Sequence, residues 1–239
     1  MINNSFEDLA QSLRILNEAN MKFLAIVGVD RPEAVGNFES GFNSVLNAFH
    51  NLYDAMKKQD IRTINWYREP ELCLILAIRN ARHHNLANRI RTVFNYHVQN
   101  TKAPQEIQKH YWVDFQIPFE EEGGSYSQLP VSWYDINLLI NLPQDKSKLS
   151  PNIKGILRNY VNADAFEDQA KQKGINEECI FINIIPLIIK AGNKIYPHIK
   201  DYITPYSIEA EHFCFHFSEI VPVDCNNQDN SIVNFFLPN

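Results

Sequence analysis

Arg79, Asn80, Arg82, His83 and His84 stand together in the stretch Ala77 to Arg91, AIRNARHHNLANRIR, with Arg89 and Arg91 close behind. Between Glu71 and Glu106 the chain has no Asp or Glu, yet the same span also holds Lys102 and His97. In a chain of formal net charge −6 this is a local reversal of sign, able to hold a phosphate backbone. Unpaired charge is costly away from water, so the patch must face solvent or a groove, or carboxylates from elsewhere must pair with it. The residue types suit one chemistry in particular. A guanidinium is always charged and fork-shaped, fit to hold a phosphate and the extra negative charge of a transition state. An imidazole can take and return a proton near neutral pH.

The spacing also resembles a known signature. Arg79, the polar Asn80, three further residues and then His84 resemble the motif of the HEPN superfamily, in which Arg and a polar residue precede a His late in a helix of an all-α bundle. The resemblance covers residues 1–103 only. It implies a metal-independent endoribonuclease, commonly a toxin or phage-defence effector, that works as a homodimer with two copies of the motif meeting at the interface. It further implies products with a 2′,3′-cyclic phosphate and a 5′-OH, no cofactor, and a cognate antitoxin or regulatory partner. On this reading His84 is the general acid/base, Arg79 stabilises the transition state and Asn80 orients, with Arg82, Arg89 and Arg91 as RNA contacts. Helical geometry adds a rival. Residues five apart on a helix are rotated by about 140°, so Arg79 and His84 do not share a face, whereas Arg79 and His83 do. His83 is therefore the reserve candidate. The alternative function is a non-catalytic module of the same shape that binds RNA, a nucleotide or a protein partner through the basic helix.

Other constellations carry less. HFCFHF alternates and reads as a strand, with His212, Cys214 and His216 on one face. The outer pair would then be about 13 Å apart, too far to share a zinc ion. No metal site is expected. Asp164, Glu167 and Asp168 fall early in an expected helix, where the dipole favours them without any catalytic role. The chain has no Walker loop, GxGxxG, HExxH or GxSxG, so the kinase, nicotinamide-enzyme, zincin and α/β-hydrolase classes lack support.

The elements that must position the basic stretch are helical. Ser5 with Asp8 offers a cap for a first helix, with Phe6, Leu9, Leu13 and Leu16 at helical spacing and Gly28 as its stop. Asp30, Pro32 and Glu33 form a stronger start, followed by an apolar stripe from Val35 to Met56 that Lys57 and Lys58 close. A third helix is expected from Pro70 toward Val98. It is apolar all round from Leu72 to Ile78 and therefore central. After Pro104 the texture changes. YWVDFQIPF alternates Val113, Phe115 and Ile117 like a strand, EEEGGS reads as a solvated turn, and Ser150-Pro151 opens a helix that ends near Gly174. INEECIFINIIPLIIKAG fits either a helix kinked at Pro186 or a buried strand pair. The expected fold class is mainly α, with an N-terminal helical bundle at 1–103 and a smaller α+β region at 104–239 whose role is unknown.

Composition agrees with a folded, water-facing chain. Its 239 residues are 45% hydrophobic and 21% charged, enough for a proper core and unlike a disordered sequence. The net acidity argues against a general polyanion binder, so any nucleic-acid contact must be local. Cys73, Cys179, Cys214 and Cys225 form no CxxC pair and read as reduced thiols. The first residues carry no basic segment followed by an apolar one, and CIFINIIPLII is too short to span a bilayer. A cytoplasmic location is the expectation.

Overall fold

The computed structural model describes residues 1–100, 107–116, 127–219 and 221–237. It is mostly helical, with one small mixed sheet built from the later part of the chain. Two long helices, α1 (Ile2–Val27) and α2 (Arg31–Lys58), pack along each other. The α1 stripe Phe6, Leu9, Leu13, Leu16 is buried as its spacing requires. Gly41 permits the approach, since a Cβ there would lie 3.1 Å from the Leu16 Cα. The cap expected at Ser5 is corrected: α1 already runs from Ile2 with no side-chain cap, so Ser5 and Asp8 lie inside it. Asp30 does cap α2, accepting the Glu33 N–H at 2.9 Å.

The third helix, α3 (Pro70–His83), is buried from Glu71 through Ile78 and threads the middle of the bundle. It does not continue to Val98. The Leu86 N–H bonds back to the Ala81 carbonyl at 2.9 Å across a left-handed Asn85, φ +55°, which is a Schellman-type stop with Asn in place of Gly. The chain then makes a left-handed turn and enters α4 (Val93–Asn100).

The sheet has the order β2-β3-β1-β4. Strand β1 (Gln108–Phe115) pairs in parallel with β3 (Ile180–Asn183) and antiparallel along its whole length with β4 (Gln228–Phe235), while β2 (Pro130–Ser132) pairs antiparallel with β3. The alternation expected around Val113 is not an exposure pattern, because Trp112 and Asp114 are buried as well. A parallel neighbour needs a crossover, and helices α5 (Trp133–Asn141), α6 (Gln144–Ser147), α7 (Pro151–Tyr160) and α8 (Ala163–Gln172) occupy the chain before β3. The single helix expected over 151–174 breaks at Asn162, φ +50°.

Two further expectations are corrected. INEECIFINIIPLIIKAG is neither a kinked helix nor a strand pair. It is β3 followed by α9 (Ile185–Ile199), and Pro186 sits in the first turn of that helix, where its missing N–H costs nothing. HFCFHF is not a strand but part of α10 (Ile208–Glu219), started by the Ser207 hydroxyl accepting the Ala210 N–H at 3.1 Å. The tertiary demand decides this. Ala210, Phe213 and Phe217 recur at helical spacing and pack into the core, Phe217 lying directly over Gly192 of α9. One contiguous apolar core joins Phe38, Phe42 and Phe49 of the bundle to Tyr111, Phe115 and Phe181 of the sheet. Ile117, the EEEGGS stretch, Lys102 and the boundary drawn at 103/104 lie outside the described residues.

Candidate anion-binding groove

The C-terminal turns of α3 run antiparallel to α2, and the contact between them is polar. On α2, Glu39, Asn43, Asn47, His50 and Asp54 recur every three or four residues and so share one face. Arg82 is 7% exposed and held from several sides. It pairs with Glu39, donates from Nε to the Asn43 side-chain oxygen at 2.6 Å and from Nη1 to the Ile90 carbonyl at 3.0 Å, and lies over the Phe42 ring. Arg79, one turn earlier, is held differently. Its guanidinium donates to the Asn47 and Asn80 side-chain oxygens, both at 3.3 Å, and it has no ion pair among the described residues.

His83 and His84 are both exposed, with ring centroids 4.8 Å apart, edge to face. They do not occupy equivalent places. His83 lines a hollow of about 290 Å³ together with Arg79, Asn43, Asn47, Asn85 and Arg89. His84 is the residue that closes α3, its N–H bonding to the Asn80 carbonyl, and it does not line that hollow. His50 is a neighbour that composition did not single out. Burial lowers its pKa, Arg79 and His83 push the same way, and Asp54, 3.6 Å from its Nδ1, opposes them.

The turn after α3 is built from strain. Ala87, Asn88, Arg89 and Ile90 are consecutive and all left-handed, with φ between +46° and +64°. For side chains with a Cβ this costs roughly 1–2 kcal/mol per residue. Asp135 of α5 compensates. Fully buried, it accepts the Arg91 Nε and guanidinium N–H donors, both at 2.8 Å, the Arg91 backbone N–H at 3.0 Å and the Asn88 amide at 2.7 Å. Burial alone would pull the Arg91 pKa down, but its hydrogen bonds with Asp135 and the charge of that carboxylate push it up on balance. The Ser132 N–H then bonds to the Arg91 carbonyl at 2.8 Å, fastening the turn to β2.

A second hollow of about 450 Å³ opens on the other side of Arg82 and Arg89. Asn43, Arg82 and Arg89 line both, so the two hollows are neighbours along one polar seam. The basic stretch is thus divided. Of the expected RNA contacts, Arg89 lines both hollows with no ion pair among the described residues, whereas Arg82, which also lines both, and Arg91, which lines the larger, are engaged by Glu39 and Asp135. His97 is away from the groove, buried with its Nε2 2.7 Å from that of His110. On α10, His212 and His216 are one turn apart, and among the described residues no group of three or more His, Cys, Asp or Glu is arranged to hold a metal ion.

Sequence reasoning missed Glu39, Asn43, Asn47, Asn88 and Asp135. The first three were findable, since a polar stripe on an otherwise core-facing helix must meet something polar. No local signal marks Asp135.

No family model, curated protein or solved structure matches this chain. Among the described residues, no helix is long and apolar enough to cross a membrane.

Proposed function

We propose that this chain is a metal-independent endoribonuclease of HEPN type. The observation that carries the reading is Arg79: a half-buried guanidinium steadied by two neutral amides instead of a carboxylate, beside His83 in an open hollow. An arginine held that way keeps its full charge for an incoming anion. Arg79 would bind the scissile phosphate and stabilise its transition state, with Asn80 fixing the guanidinium plane. An imidazole would take the 2′-OH proton and a second would protonate the leaving 5′-oxygen. His84 is the residue the signature names, and His83 is the one that shares the groove with Arg79. The exposed end of α3 suits a homodimer in which one protomer supplies each proton transfer. Unchecked cleavage would harm a cell, which fits a toxin or phage-defence effector held by an antitoxin or a trigger.

A second reading draws on the inward-turned Arg82 and Arg91. With these neutralised, the groove has fewer free cations, which suits a non-catalytic module that binds a short anionic ligand. Incubation of the purified protein with RNA in excess EDTA decides between them. Cleavage that disappears in Arg79→Ala and in His83→Ala or His84→Ala supports the enzyme. Binding without cleavage supports the module.

A further inference from the structure

We infer that the larger hollow is a subsite for one unpaired base of the RNA strand, next to the phosphate held at Arg79. This rests on the RNA-cleavage reading above and adds what part of the strand is recognised, and how. At about 450 Å³ the hollow lies in the size range of sites that enclose a small ligand. Val35, Pro32 and Val98 give it apolar wall on which a base can lie. Asn95 and Gln99, one turn apart on α4, face it with amides that make no hydrogen bond among the described residues. A side-chain amide offers a donor and an acceptor side by side, the pattern that pairs with a base edge.

The cations are set for the backbone of the same strand. Arg31 and Arg89 line the hollow and have no ion pair among the described residues. Arg89 also lines the smaller hollow with Arg79 and His83, so a strand passing from one to the other must pass it. Arg89 owes this position to the left-handed turn that Asp135 clamps, and backbone strain of that kind collects where a chain positions functional groups. In a duplex the base edges are paired and turned inward, so only an unpaired base can enter such a hollow.

The test is binding, separate from cleavage. Short homopolymeric RNAs with 2′-O-methyl groups cannot be cut, and their affinities are measured by fluorescence anisotropy against a duplex of equal length. The single strands should bind more tightly than the duplex. Asn95→Leu and the exposed Gln99→Leu should weaken the preferred homopolymer by about fivefold or more and change the rank order among the four. Arg31→Ala should weaken all four alike and reduce the salt dependence. If both leucine variants keep the affinities and the rank order while Arg79→Ala abolishes binding, the base subsite is refuted and the nuclease reading stands. If no strand binds and no RNA is cut, both fall together.

Discussion

Asp135 and Arg91 form an enclosed two-pronged ion pair, both contacts at 2.8 Å, and the same carboxylate also grips the backbone N–H of Arg91 and the amide of Asn88. One buried group from α5 thereby fixes a strained turn that belongs to the helical part of the chain. Asp135→Ala leaves a guanidinium buried without its counter-charge, so the unfolding free energy should fall by about 3–5 kcal/mol in a urea titration. Adding Arg91→Ala should recover part of that loss. A double-mutant cycle that came out additive would contradict the coupling.

Arg79 should behave in the opposite way. Its contacts are two neutral amides at 3.3 Å, so Arg79→Ala should change stability by less than about 1 kcal/mol. RNA cleavage should fall by at least about a hundredfold. Arg79→Lys keeps the charge but loses the planar fork, and should restore binding more than rate. A destabilised Arg79→Ala protein would mean that the residue is a strut and not part of a working site.

If the protein is the proposed homodimer, mixing shows whether His83 works within one protomer or only where two motifs meet. If His83 acts within one protomer, heterodimers of His83→Ala with wild type keep about half the activity per site. If both motifs must meet, every mixed dimer is impaired. Rates measured across a series of mixing ratios give a straight line in the first case and a curve in the second.

The buried pair His97 and His110 makes the fold sensitive to acid. Burial lowers each pKa from 6.5 to about 4, and the neighbouring His97 adds to the effect at His110. The unfolded chain therefore binds protons that the folded chain refuses. Stability is whole above about pH 6.5 and declines as the pH falls toward 4, by up to ~3 kcal/mol for each imidazole. Urea midpoints at pH 7 and pH 4.5 measure the slope, and His110→Phe should flatten it.

Two glycines predict opposite signs. A Cβ at Gly192 would overlap the Phe217 ring where α10 crosses α9, so Gly192→Ala should cost about 1–3 kcal/mol. Gly155, exposed within α7, has nothing within 4 Å of its Cβ position, so Gly155→Ala should stabilise by about 0.5–1 kcal/mol. Thermal unfolding of the two single variants reads both.

What could be read from the chain alone follows the reach of the interactions. Helix α2 was legible from Asp30 to Lys58 because its cap, stripe and closing lysines are local. The central burial of α3 was legible from seven apolar residues in a row. Its stop was not, because Asn85 does there what glycine usually does. HFCFHF misled because two-residue alternation is also compatible with a helix that buries Ala210 and Phe217 and half-buries Phe213. The acid-free span from Glu71 to Glu106 left open whether the patch is unopposed or paired from elsewhere, and Arg82 and Arg91 find carboxylates 43 and 44 residues away. Distance along the chain hides such pairing. The same fact separates Arg79 and Arg89, which have no ion pair among the described residues, from Arg82 and Arg91, which do.

Since Asp135 comes 44 residues after Arg91, a nascent polypeptide exposes the basic stretch well before it can set the turn that carries Arg89. On the ribosome, surrounded by RNA, the early segment lacks the carboxylate that shapes it. The turn that carries Arg89 is thus completed late in synthesis, only once α5 has been made.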